Sequence, residues 1–355
     1  MLERADLAAD RHLRNAHLLR RTRQAPEPGR SLECAQRIQR WKASVHRRSL
    51  TSGWANATEK LVARRHAASE ECARTKTSGA LEMQAAEVRM SMGFEAIRLD
   101  VESGVATLTL HRPEKRNAIN DAMRGELAAA LDAAGGDAAV RALVVTGSGR
   151  GFCAGGDVQG MMQRMAEPAT ALAFNGWSRQ QRTHHAVAAL HAFPKPTIAA
   201  VNGSATGLGC DIALCCDFIV ASTAATFAMS YIHRGLIPDG GGLYFLPRRV
   251  GLPRAKELIF TGRRVDPDEA LRIGMIDRVT APEALLAEAR GWAAELSHGS
   301  AAALALGKSI LDQTFELTVD QVFAMGSQAQ AICYTTGEHH QSVAAFLNKT
   351  GKKEG

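Results

Sequence analysis

Residues 153–157, Cys-Ala-Gly-Gly-Asp, and residues 202–211, Asn-Gly-Ser-Ala-Thr-Gly-Leu-Gly-Cys-Asp, are glycine-rich turns that each come soon after an apolar, partly β-branched run. Leu143, Val144 and Val145 lead to the first, and Thr197 through Val201 lead to the second. Apolar runs of that length ended by small residues read as buried strands, which constrains the chain to an α/β arrangement. Two such junctions can each aim a backbone N–H at one point, with no Cβ in the way. Two converging N–H donors form an oxyanion hole. With an acid in a third loop, Ile237-Pro238-Asp239-Gly240-Gly241, the pattern reads as an enzyme.

The rest of the chain supports an α/β rhythm from Phe94 onward. Ile97–Val101 and Val105–Leu110 read as a hairpin around Glu102-Ser103-Gly104. The spacing of Met123, Leu127 and Leu131 predicts a helix over 121–134, with Asp121 as its cap. A strand is predicted over 141–146, and a long helix over 174–192 that Phe193-Pro194-Lys195-Pro196 ends. Strands at 197–202 and 218–221 flank a helix that starts near Gly207. Helices are expected over 254–260, 267–273, 282–298 and 301–315.

Residues 1–91 differ in kind. They hold 18 of the 43 Lys+Arg but only 10 of the 36 Asp+Glu, and no Phe or Tyr. The net charge of +7 therefore lives in this segment, and the body carries no bulk attraction for nucleic acid. Weak apolar periodicity predicts a disordered extension, or one that precedes a natural start at Met90 or Met92; a regulatory arm and a transit peptide are the alternatives. The expected division is 1–91 as this extension, 92–285 as the core and 286–355 as a helical region. The seven cysteines have no metal-finger spacing and read as reduced thiols of a cytoplasmic protein. No apolar run reaches the ~18–20 residues of a membrane helix, so no membrane association is expected.

Several segments in one order resemble the crotonase superfamily, the enoyl-CoA hydratase/isomerase family. They include His111-Arg112-Pro113-Glu114-Lys115-Arg116-Asn117-Ala118, Gly151 through Asp157, Lys195 through Gly203, Gly235 through Gly242, and Ala270 through Ile276. The resemblance implies a spiral of ββα turns with a C-terminal helical trimerisation region. It also implies an acyl-CoA thioester substrate, no metal, and no cofactor beyond the CoA moiety of that substrate. The oxyanion donors would be the N–H groups of Gly156 and Leu208. Arg112, Lys115 and Arg116 would meet the CoA phosphates, while Ala154 and Asp157 flank the adenine and pantetheine path. A common family lysine falls at Gln159, which puts that contact in doubt. Phe346 and Lys349 would complete the CoA site of a neighbouring subunit, implying a homotrimer or homohexamer.

The chain departs from the hydratases at the carboxylates. Where those enzymes grip a water between two glutamates, this sequence has Asp211 and Tyr231. Asp239 instead falls where ring-isomerising members of phenylacetyl-CoA catabolism have an aspartate base, and where 4-chlorobenzoyl-CoA dehalogenases have a nucleophile. Asp239 is thus the leading catalytic residue, taking a proton from one carbon and returning it at another, with Ile237, Leu243 and Phe245 as apolar walls. Asp211 is a second acid/base or simply a charge at a helix N-terminus. Tyr231 lines the pocket or donates to the substrate. His184, near a functional dehalogenase histidine, reads as an ordinary helix residue. Met161, Met162, Met165, Phe174 and Trp177 suggest a broad apolar pocket. Three alternatives stay open: a hydratase using Asp211, a non-catalytic crotonase-like protein that binds RNA through the basic arm, and an acyl-CoA or diketone hydrolase using Ser230 and His233.

Overall fold

The computed structural model describes residues 88–89 and 93–351; the remaining expectations for 1–91 lie outside the described residues. Eleven strands are described: β1 (Val88–Arg89), β2 (Ile97–Glu102), β3 (Val105–Leu110), β4 (Ala142–Gly147), β5 (Gly151–Cys153), β6 (Thr197–Val201), β7 (Ser204–Thr206), β8 (Phe218–Ser222), β9 (Thr226–Ala228), β10 (Arg264–Val265) and β11 (Arg278–Thr280). β1 pairs antiparallel with β2, Val88 opposite Val101.

The strands form two sheets. The larger has the order β1-β2-β3-β4-β6-β8-β11, the smaller β10-β9-β7-β5. From β3 onward the large sheet is parallel. The chain alternates between the sheets, from β4 to β5, β6 to β7 and β8 to β9, and then proceeds through helical segments. Each circuit adds one strand to each sheet beside the previous one, which is the expected spiral of ββα turns.

The predicted apolar runs are continuous because both faces of the large sheet are covered. On β4, Leu143 and Val145 enter one core, while Ala142 and Val144 enter the other. The second core is closed by helix α8 (Leu285–Ser297) through Leu285, Ala289 and Ala293. Helix α1 (Asp121–Gly136) buries Met123, Leu127 and Leu131 as its spacing predicts. Each such side chain is stabilising by about 1.5–3 kcal/mol relative to exposure. The cap is Asn120, whose Oδ1 accepts from the Met123 N–H at 2.9 Å, and not Asp121. Asp121 lies in the first turn and pairs with Arg124 instead.

Helices α2 (Val158–Met165) and α3 (Ala169–His191) replace the single helix predicted from 174. Helix α4 (Leu208–Cys215) follows β7. Then come α5 (Gly242–Val250), α6 (Leu252–Thr261) and α7 (Pro267–Arg272). Beyond α8 lie α9 (Ala301–Leu311), α10 (Val319–Tyr334) and α11 (Gly337–Gly351), the last two within the helical region expected over 286–355 but not individually delimited in the sequence. None of the described helices is long and apolar enough to cross a membrane.

Candidate active site

The two glycine-rich turns do not follow the long strands directly. β4 turns into β5 before residues 154–157, and β6 turns into β7 before Gly207. Asn117 pins the first of these turns. It is fully buried, and its side-chain N–H₂ donates to the carbonyls of Ser148, Gly151 and Phe152 at 2.9, 2.8 and 3.1 Å.

Residues 154–157 are held against Ile119. The Ile119 N–H donates to the Gly155 carbonyl at 2.8 Å, and the Asp157 N–H donates to the Ile119 carbonyl at 3.1 Å. In that parallel bridge the flanking residues make both bonds, so the Gly156 N–H faces the opposite side. On the second turn, Gly207 has φ 54° and ψ −123°, a conformation open to glycine, and Leu208 begins α4. As the first helical residue its N–H has no intrahelical acceptor. Among the described residues neither the Gly156 nor the Leu208 N–H has an acceptor. Both residues line one cavity of about 460 Å³. The turns also press on each other. A Cβ at Gly155 would lie 2.7 Å from the Thr206 carbonyl oxygen, and one at Gly209 would meet the Cys153 carbonyl.

Asp239 lines the same cavity, half-buried. Burial raises its pKa above the ordinary carboxylate range, and its own backbone N–H and the charge of His184 oppose this. His184 Nε2 lies 2.9 Å from the Asp239 carbonyl oxygen, so α3 supports the loop from an exposed position that sequence reasoning passed over. Of the expected apolar walls, Ile237 lines the cavity, whereas Phe245 packs against the core and His191. Met161, Met162 and Met165 line it too. Phe174 and Trp177 do not, being exposed and stacked on each other with ring centroids 6.4 Å apart.

Asp211 is fully buried and is not part of the cavity wall. The Tyr231 hydroxyl donates to its Oδ2 at 2.6 Å, and Oδ1 has no hydrogen-bond partner among the described residues. A Cβ at Gly240 or Gly242 would run into the carboxylate, so the glycines make its niche. Burial pushes the Asp211 pKa up to about 7; the Tyr231 bond opposes this and the Asp239 charge adds to it. Burial also raises the Tyr231 pKa, which keeps its hydroxyl a donor. The two positions where the resemblance implied a water-gripping pair are therefore bonded to each other, and only Tyr231 faces the cavity.

Because the folded pKa of Asp211 exceeds the unfolded value, its protonation favours the native state. That stability is fully present below pH about 4 and is lost as pH rises toward and through about 7. Asp211→Asn, which stays neutral and can still accept from Tyr231, is expected to shrink the fall in melting temperature between pH 5 and pH 8. An unchanged fall in the variant would assign the titration to another group.

The CoA candidates are spread over a second region. Arg112 is an ion-pair partner of Asp157 at 3.0 Å, which also caps α2 by accepting from the Gln159 N–H. Lys115 Nζ lies 3.3 Å from Gln159 Oε1. Arg116 and Ala154 line a neighbouring groove of about 670 Å³ with Arg234, Arg263 and Arg264. Phe346 lies on α11 with 67% exposure and lines neither cavity; the Lys349 side chain lies outside the described residues. Ser230 and His233 line the groove as well, but no hydrogen bond joins them among the described residues. His233 Nε2 instead lies 3.1 Å from the Gly262 carbonyl oxygen.

Unpaired main-chain donors and a perturbed carboxylate on one partly apolar cavity define an enzyme that can stabilise an oxyanion beside an acid–base group. The sequence profile of the enoyl-CoA hydratase/isomerase family matches residues 100–353. A crotonyl-CoA hydratase of Syntrophomonas wolfei subsp. wolfei is 35% identical over 259 residues, covering 73% of this chain and 97% of that protein. A 1,2-epoxyphenylacetyl-CoA isomerase of Escherichia coli K12 is 36% identical over 256 residues, covering 72% and 97%. The crystal structure of an enoyl-CoA hydratase from Polaromonas sp. JS666 superposes with a TM-score of 0.67 at 33% identity, covering 72% of this chain and 98% of that one. The chain belongs to the enoyl-CoA hydratase/isomerase family of the crotonase superfamily.

Proposed function

We propose that this enzyme shifts the double bond of an enoyl-CoA thioester, with Asp239 as the proton carrier. The thioester oxygen would sit between the N–H groups of Gly156 and Leu208, where the negative charge of the enolate develops. Asp239 would take the proton from one carbon and return it two carbons along the chain, so no water is consumed. The observation that carries this reading over hydration is the placement of the two acids: Asp239 lines the cavity, while Asp211 is sealed behind Tyr231. The relatives include both an acyl-CoA isomerase, acting on an epoxide, and hydratases, similar to the chain to the same degree.

The CoA nucleotide would lie along the basic groove beside Arg116 and Ala154. Exposed Leu311, Phe315 and Phe323 in the C-terminal region support assembly into trimers or dimers of trimers.

Incubated with a 3-enoyl-CoA, the enzyme is expected to yield an isobaric product with the ultraviolet absorbance of a conjugated thioester. An unchanged 3-enoyl-CoA, together with conversion of a 2-enoyl-CoA to a product heavier by one water, would establish hydration instead. Release of free CoA thiol would favour the hydrolase alternative.

A further inference from the structure

The cavity wall carries more positive charge than an alkyl chain requires. Arg124, Arg164, Arg179 and Arg234 line it, against the single carboxylate of Asp239. They arrive from separate elements: Arg124 from α1, Arg164 from α2, Arg179 from α3, and Arg234 from the 3₁₀ turn at Ser230–Arg234. Arg124 is already committed, to Asp121 at 2.7 Å and to Thr183 Oγ1 at 2.8 Å. Arg234 is shared with the basic groove assigned above to the CoA nucleotide. Arg164 and Arg179 remain. Both are half-buried, and neither side chain has an ion pair or a hydrogen bond among the described residues. The Arg164 pKa lies below its ordinary value, from burial first and then from the charge of Arg179. Asp121, Glu167 and Asp157 oppose that shift from a distance, but among the described residues no carboxylate closes on either guanidinium, and a guanidinium fork matches a carboxylate through two parallel bonds.

Their position relative to the chemistry is set by the helices. Arg164 follows Met161 by three residues on α2, and the Met161 methyl sits where a Cβ on Gly156 would go. Arg179 precedes His184 by five residues on α3, and His184 touches the Asp239 carbonyl. At 1.5 Å per residue that places Arg179 roughly 7–8 Å along the helix from the catalytic loop. This is the reach of a short acyl chain beyond the thioester.

We propose that the acyl group carries a second carboxylate at its far end, gripped by Arg164 and Arg179, so that the substrate class is an ω-carboxy-enoyl-CoA of about six carbons. The proposal rests on the proposed thioester chemistry for its reaction, while the charge recognition is testable by binding alone.

Two pairs of thioesters test it, with CoA common to each pair so that its phosphates cancel. For turnover, 3-hexenedioyl-CoA is compared with 3-hexenoyl-CoA. For binding, the saturated adipoyl-CoA is compared with hexanoyl-CoA by calorimetry. Wild-type enzyme is expected to favour the dicarboxylic member in each pair by about 10- to 100-fold, as for hydrogen bonds to charged groups. Arg179→Leu and Arg164→Leu are each expected to reduce that ratio about tenfold or more, with Arg179→Lys recovering part of it as a point charge. Equal handling of the two members by wild type overturns the proposal and leaves the isomerase reading standing. Preferential binding of adipoyl-CoA without any double-bond shift upholds the proposal and removes the isomerase reading.

Discussion

Asp239→Asn is expected to lower kcat for 3-enoyl-CoA isomerisation by about 10²- to 10⁴-fold, the range for loss of a positioned acid–base group. KM should change little, because an amide of the same shape leaves the ground-state contacts in place. The fold should survive, since the Asp239 side chain accepts no hydrogen bond from another residue in the described structure; its backbone N–H donates to the Ile237 carbonyl and its carbonyl meets His184. Asp211→Asn is the informative comparison. It removes a charge that does not reach the cavity, so its loss should be far smaller. A drop in Asp211→Asn that equals the drop in Asp239→Asn would move the chemistry to the buried pair.

Gly209→Ala should produce a large structural effect for a single methyl. Gly209 sits in the first turn of α4, and a Cβ there would run into the Cys153 carbonyl oxygen, with the Cys153 Cβ at 2.6 Å and its carbonyl carbon at 2.8 Å. All of these atoms belong to β5 at its exit into residues 154–157, and backbone cannot turn away as the end of a long side chain can. Relief would require the two oxyanion turns to move apart. The expected cost is about 3 kcal/mol or more, seen as a fall in melting temperature of roughly 6–12 °C. Activity should fall further than stability, by about 10²-fold or more, because a donor displaced by 1 Å no longer meets the developing charge. Gly176→Ala, on α3 with open space where its methyl would go, is the control and should be close to neutral. A Gly209→Ala enzyme that melts and turns over like wild type would mean that the turns are not in contact in solution.

Much of the architecture was legible from local signals. The strands at 97–102, 105–110, 142–147, 197–201 and 218–222 lie within a residue or so of their expected bounds; β4, β6 and β8 show near-continuous apolar runs because both faces are buried, whereas β2 alternates, with Arg98 exposed between buried Ile97 and Leu99. The small sheet was missed. β7 and β9 have three residues each and β10 has two, too short for any period to show. α10 and α11 were covered only by the general expectation of a helical region over 286–355, and their bounds went unread because Phe323 and Phe346 are exposed, so no buried stripe marks either helix in one chain. The helix at 121 was recognised but its cap was misassigned by one residue, since Asn120 and Asp121 are both good caps and only backbone geometry separates them.

By itself the sequence determined the two main-chain turns and the acid in the third loop. Glycine placement and strand endings are local properties, and a backbone donor needs no particular side chain. Only the tertiary structure decided which of the two aspartates faces the cavity, because burial depends on what other segments cover it: Tyr231 and the Gly240–Gly242 turn close over Asp211 and leave Asp239 open. It alone also brought Arg124, Arg164 and Arg179 from three helices to one wall, where their charges act on one another across distances that no spacing along the chain encodes.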